Sequence, residues 1–180
     1  MGRVKCFERT DILDKAIQLF WRKGYADTSL SDLEKATGVN KSGLYSEFKD
    51  KDDFFCETLK RFSQSNCYLE NLSREPLGWK NIEFFLKSKL TNKGQKGCYF
   101  SNTIREYSII PEEAKRFMEQ TQLGVRNAMI ENIQATGTEK NPEVLTDMIL
   151  TFHMGVNLKL NAVEPALLEG EIDTFLAIIK

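Results

Sequence analysis

Residues 28–48 read TSLSDLEKATGVNKSGLYSEF, and the order of polar, apolar and glycine positions in them decides the fold. Ser29 with Asp32 three residues on has the form of a capping box, in which side chain and backbone satisfy each other at a helix start. Leu30, Leu33 and Ala36 then mark a helix of about two turns. Gly38 supplies the positive φ that ends it, Val39 returns to the core, and Asn40 caps the next helix. In that third helix Leu44 and Phe48, four residues apart, face inward. Lys41, Ser42, Gly43, Tyr45 and Ser46 face outward. Helix, tight glycine turn, helix is the arrangement whose second helix enters the DNA major groove. Small and hydroxylated residues let its backbone come close, while Lys41 and the Tyr45 hydroxyl reach phosphate oxygens. Lys49 and Lys51 follow and add cations for the same purpose.

Working outward, Ile12, Leu13, Ala16, Ile17 and Phe20 form the apolar face of a first helix that stops at Lys23-Gly24. A long helix is predicted from Asp52 to about Leu72, carrying Phe54, Phe55, Leu59 and Phe62. Further helical segments are predicted near 78–92, 97–108, 111–136, 142–162 and 165–179. The four prolines, at 76, 111, 142 and 165, punctuate these segments rather than interrupt them. No strand-length alternation occurs between them. The prediction is an all-α chain of about nine helices, with a three-helix domain over 1–50 and a larger helical domain over 51–180.

Composition narrows the function classes. Lys plus Arg number 25 against 26 Asp plus Glu, which excludes a polycationic nucleic-acid coat but not a local basic surface. The longest apolar run, Phe175–Ile179, is far shorter than the roughly 20 residues of a membrane span. The first residues lack the apolar segment of an export signal, so a cytoplasmic protein with reduced thiols is expected. Cys6, Cys56, Cys67 and Cys98 include no closely spaced pair, and His153 is the one histidine. A Cys/His metal site and a histidine-based catalytic dyad of ordinary spacing are therefore not expected, nor is any cofactor; the chain does not read as an enzyme.

Residues 12–59 resemble the N-terminal domain of the TetR family of bacterial transcriptional regulators. The similarity is carried in order by Leu19-Phe20, Lys23-Gly24-Tyr25, Thr28-Ser29, Gly38-Val39, Leu44-Tyr45, Phe48-Lys49 and Lys51. The resemblance implies a homodimer on a palindromic double-stranded operator and a small-molecule effector, largely apolar, held after residue 50. It implies DNA contacts by Ser29, Lys41, Ser42, Gly43, Tyr45, Ser46 and Lys51, and a dimer contact through the last two helices. Glu34 stands where many members carry a small alanine, and Glu47 where a neutral or basic residue is common.

Outside that domain the residues leave alternatives open. Trp79, Phe85, Cys98, Phe100, Tyr107, Phe117 and Phe152 are candidate walls of an effector pocket, or core at helical spacing. Cys98, after Gly97 and near Lys93 and Lys96, is a candidate redox- or electrophile-sensing thiol, or a small buried hydrophobe. His153 reads as a hydrogen-bonded core or interface residue rather than a ligand contact. Arg3, Lys5 and Arg9 read equally as a DNA-touching arm or a solvated tail. The leading expectation is a repressor released from DNA by its effector. Its rivals are a thiol-sensing repressor acting through Cys98 and a helical ligand-binding dimer that does not bind DNA.

Overall fold

In the computed structural model the described residues are 7–66, 68–88, 90 and 97–180, and among them all regular structure is helical. Arg3, Lys5, Cys6, Cys67, Lys93 and Lys96 lie outside the described residues. The helices are α1 (Arg9–Lys23), α2 (Leu30–Thr37), α3 (Lys41–Glu47), α4 (Lys51–Asn66), α5 (Tyr68–Leu72), α6 (Trp79–Lys87), α7 (Tyr99–Thr103), α8 (Glu112–Ala135), α9 (Pro142–Lys159) and α10 (Pro165–Ile179). A 3₁₀ turn, Ile104–Glu106, follows α7.

Several expected segments are shorter than their apolar patterns suggest. The helix foreseen over 52–72 is described as α4 and α5. Near the end of α4, Ser65 Oγ donates to the Arg61 carbonyl at 3.0 Å and Asn66 Nδ2 to the Phe62 carbonyl at 2.7 Å. Such side chains compete with the backbone for its own partners and favour helix ends. The segment foreseen at 97–108 is one short helix and a 3₁₀ turn, entered through Gly97 at φ 73°. Pro142 and Pro165 each stand at the start of a helix, where the missing N–H costs nothing.

The chain forms two compact units. The first takes the residues up to Asn66 together with Asn102–Glu119, so it extends past the three-helix segment and includes α4. Its core is the α1 stripe of Ile12, Leu13, Ala16, Ile17 and Phe20, closed by Leu33, Leu44, Phe48, Phe54, Phe55 and Leu59. Phe48 and Phe54 stack at 3.9 Å between centroids, and Phe20 meets Phe55 edge-on at 5.0 Å. Each such ring adds about 1.5–3 kcal/mol by burial, and truncating Phe54 to alanine is the kind of change that costs about 3–5 kcal/mol.

The second unit comprises the residues from there to Ser101 with Gln120–Lys180. Its core gathers Leu72, Ile82, Phe85, Leu86, Met129, Ile133, Ile149, Leu168 and Ile172. Asn132 is fully buried there and fully satisfied. Its Oδ1 accepts from the Gly78 amide at 2.9 Å and Asn81 Nδ2 at 3.0 Å, while its Nδ2 donates to the carbonyls of Leu72 and Ala128. A buried polar group so paired locks the approach to α6 without a desolvation penalty.

Candidate nucleic-acid interface

The helix-turn-helix is held by local hydrogen bonds at its turns and helix caps. Gly24 ends α1 at φ 83°, and the buried Thr28 hydroxyl donates to its carbonyl at 2.6 Å. Ser29 caps α2: its Oγ accepts from the Asp32 amide at 3.1 Å, and its own amide donates to Asp32 Oδ2 at 3.0 Å. The Ser29 hydroxyl proton goes to the same carboxylate at 2.6 Å. Lys23 completes the cluster, its ammonium 2.8 Å from Asp32. The hydrogen bond from Lys23, and after it those from Ser29, hold the Asp32 carboxyl well below the usual carboxylate range.

Gly38 takes the left-handed conformation at φ 75° and returns its amide to the Glu34 carbonyl at 2.9 Å. Asn40 then caps α3, its Oδ1 accepting from the Gly43 amide at 2.9 Å. The Glu34 side chain reaches over the same turn and accepts from the Lys41 amide. Glu34 thus fills a cap at the start of α3, where an anion is also favoured by the helix dipole.

Leu44 on α3 and Phe48 at its C-terminal cap are buried, while Lys41, Ser42, Tyr45 and Ser46 are exposed and Gly43 is half-buried. Tyr45 is 46% exposed, with the Lys41 ammonium 5.8 Å from its ring centre. Ser46 Oγ donates to the Gly43 carbonyl at 2.7 Å. Gly43 has a second reason to be glycine besides close approach by a ligand: a Cβ there would lie 2.7 Å from Val39 Cγ1.

Lys51 is turned inward from the position assigned to it by sequence. Its Nζ donates to the Ala26 carbonyl at 3.3 Å and lies 4.4 Å from the Tyr25 ring centre. Burial pulls its pKa down, against the raising effect of Asp52 and Glu106. An ammonium has three donors, so the bond to Ala26 leaves two for a phosphate. The Tyr25 hydroxyl donates to Asp52. Burial first, then this carboxylate, pushes the phenol well above its usual range. The Glu106 carboxylate binds the same loop, accepting from the amides of Tyr25 at 2.6 Å and Ala26 at 2.8 Å. Arg9 belongs to neither an arm nor a tail. It is the first residue of α1, pairs with Glu57 at 2.7 Å and covers the Phe48 ring.

The candidate pocket residues Trp79, Phe85, Cys98, Phe100, Tyr107, Phe117 and Phe152 fall in both units. Tyr107 and Phe117 belong to the first unit, and the other five to the second. Tyr107 is exposed, with its hydroxyl donating to Glu119. Phe85 is core, Trp79 and Phe100 are half-buried, and Phe152 stacks on Phe175 at 3.9 Å. Cys98 is 3% exposed, with the Tyr68 hydroxyl 3.6 Å from its sulfur. No helix among the described residues is long and apolar enough to cross a membrane.

Sequence reasoning missed Glu106, which lies 81 residues from Tyr25 and carries no local signal. Glu34 was noticed only as a departure. Its place seven residues before Lys41, across the glycine turn, was the available clue.

Residues 12–58 match the family described as bacterial regulatory proteins, tetR family. The transcriptional repressor ComR of Escherichia coli K12 is 49% identical over 61 residues, 34% of this chain and 29% of that repressor. This match therefore spans less than a third of ComR. The transcriptional repressor DhaR of Mycobacterium sp. GP1 is 24% identical over 164 residues, 84% of this chain and 81% of that one. Among solved structures, the TetR-family regulator CifR, a cysteine mutant complexed with a 26-bp double-strand operator DNA, superposes with a TM-score of 0.81. It is 19% identical, and the match covers 98% of both chains.

Proposed function

We propose that this chain, whose residues 12–58 match the family described as bacterial regulatory proteins, tetR family, is a sequence-specific DNA-binding transcriptional regulator. In this reading it is a homodimeric repressor that leaves a palindromic operator when a small molecule binds. Residues 1–50 hold the DNA, and 51–180 carry the effector and the dimer contact. The observation that carries the reading is the outer face of α3. Its capping atoms are spent on the fold, whereas Lys41, Ser42, Tyr45 and Ser46 remain exposed above a buried Leu44 and Phe48.

Lys41 and the exposed Lys49 suit phosphate oxygens, with Lys51 nearby; Ser42, Tyr45 and Ser46 suit base edges or the backbone beside them. Ser29 marks the start of α2 against the phosphates, although its hydroxyl proton is committed to Asp32. Glu47, half-buried on α3, repels phosphate and can accept from a cytosine amino group. One recognition helix offers too few base contacts for an operator, so two must act, about 34–36 Å apart on one side of the duplex. Val144, Met148 and Leu158 on α9 with Leu167 and Ile178 on α10 are exposed apolar residues, which supports a partner copy on these helices. The names of ComR and DhaR as repressors and the operator bound to CifR support the same reading.

The test is selection of binding sites from random duplex DNA, with the affinity of the winners followed against salt. The expected result is an enriched inverted repeat whose binding is lost on Tyr45→Ala, while thermal stability stays within about 0.5 kcal/mol because the side chain is exposed. Absence of enrichment, with only weak salt-dependent association, would refute sequence-specific regulation.

A further inference from the structure

Within the second unit, four polar side chains form a chain of contacts in and against a largely apolar core, with Asn157 and Cys98 buried and His153 and Tyr68 half-buried. Asn157 on α9 is fully buried. Its amide nitrogen donates to the His153 carbonyl at 2.9 Å and lies 3.0 Å from His153 Nε2. The His153 ring lies 4.3 Å from Phe85 and 6.4 Å from Tyr68, centre to centre. Tyr68 meets Phe85 at 5.7 Å and places its hydroxyl 3.6 Å from Cys98 Sγ.

The carbonyl oxygen of the Asn157 side chain has no hydrogen-bond partner among the described residues. Its orientation is fixed, because exchanging oxygen and nitrogen would set the oxygen against the His153 carbonyl. A buried acceptor left unpaired carries a desolvation penalty that any donor brought to it would relieve. The rings of Phe85 and Tyr68, which meet the imidazole beside this amide, favour an aromatic neighbour in offset or edge-on contact. No Asp, Glu, Lys or Arg is among the buried residues described, so an ionic guest would be desolvated without a counter-charge. The Tyr68 phenol itself is held neutral, its pKa well above the usual value through burial and the neighbouring thiol.

We propose that Asn157, His153, Tyr68, Phe85 and Cys98 form a ligand site that takes a neutral aromatic molecule bearing a hydroxyl donor, the hydroxyl pairing with Asn157 Oδ1. Calling that molecule the effector rests on the regulator reading above; the site itself does not. The guest's ring lies against Phe85 and Tyr68, and its hydroxyl supplies the hydrogen bond that Asn157 Oδ1 lacks. A guest of the same shape without the donor buries the amide oxygen unpaired and binds about tenfold more weakly, or worse.

His153 is the chain's one histidine, so its Hε1 proton resonance reports on the site without assignment of the rest. The experiment titrates the full chain, free of DNA, with 4-methylphenol and separately with 4-methylanisole, which keeps the ring and loses the donor. The expected result is a saturable shift of the His153 resonance with the phenol and at least about tenfold weaker binding of the ether. In Asn157→Leu, checked for its thermal midpoint, the two probes should become equivalent. Equal responses to both probes in the wild-type chain would overturn the assignment. So would no saturable shift up to millimolar phenol, the result expected if Asn157 holds only a water. Operator binding is measured in parallel. An unresponsive His153 with operator binding intact removes this site and leaves the regulator, whereas a responsive His153 without any operator removes the regulator and leaves the site.

Discussion

The loop that leads from α1 into the helix-turn-helix is held by one distant carboxylate, and a double-mutant cycle measures that hold. Gly24 has φ 83° and ψ 173°, a region essentially restricted to glycine, where another residue costs about 1–3 kcal/mol of strain. A Cβ at this position would also lie 2.5 Å from Glu106 Oε2 and 2.9 Å from its Cδ. Ordinary contact begins near 3.4 Å, so the carboxylate must retreat by roughly 1 Å. It then loses its bonds to the amides of Tyr25 and Ala26, at 2.6 and 2.8 Å. The Ala26 residue is exposed and water replaces much of its bond, so the two together contribute about 2 kcal/mol rather than the full value of two buried charged bonds. Gly24→Ala should therefore cost about 3–5 kcal/mol, the sum of strain and lost bonds, and Glu106→Ala about 2 kcal/mol. In the Glu106→Ala background the same glycine change should cost only its strain, leaving a coupling of about 2 kcal/mol. Urea unfolding of the four proteins at one chain concentration reads this directly. Additivity within about 0.5 kcal/mol would mean that Glu106 does not hold the loop, and the account of the junction would fall.

Three further outcomes are expected. Gly43→Ala should destabilise by about 1–3 kcal/mol through its clash with Val39 and be largely rescued by Val39→Ala; equal costs in both backgrounds would contradict the steric reading. Asp32 has its folded pKa depressed by Lys23 and Ser29, so its contribution is present above the ordinary carboxylate value of about 3.9 and is lost as pH falls below it. Asp32→Asn should accordingly flatten the fall in stability between about pH 5 and 2, and an unchanged acid limb in urea titrations would count against the capping cluster. Burial pushes the Cys56 thiol up to about 11, so in the native chain it should resist Ellman's reagent at pH 8 and react only on unfolding; prompt labelling of Cys56, located by peptide mass, would oppose that burial.

What the sequence revealed depended on how local the cause was. The capping box of Ser29 and Asp32, the turn at Gly38, the return of Val39 and the Asn40 cap are all interactions within four residues, and their residue types name them. The inward pair Leu44 and Phe48 follows from helical period alone. Arg9 was misjudged because its partners, Glu57 and Phe48, lie about forty or more residues away. Lys51 was correctly seen at the start of α4, yet the carbonyl and ring that draw it inward belong to the loop at Tyr25 and Ala26. The aromatic residues of the second half were ambiguous for a related reason. Composition says how many rings exist, whereas only packing says that Phe85 is core and Tyr107 surface. Asn157 gave no sign at all, since an unpaired oxygen is a property of its surroundings.

The division of atoms across the turn from α2 to α3 bears on how such a protein changes its target. The side chains that hold the turn are Glu34 and Asn40, which cap α3, and Val39 against Gly43. None of these is Ser42, Tyr45 or Ser46. On the proposed assignment of Ser42, Tyr45 and Ser46 to the operator, folding and recognition draw on nearly separate alphabets, the first written mainly before the seven-residue helix and the second on it. A lineage can rewrite 42, 45 and 46 while every cap stays in place, so new operators are reachable by steps that never pass through an unfolded intermediate. The constraint falls instead on Glu34: an alanine there, harmless to any base contact, would loosen the first turn of the helix on which all the rewritten positions depend.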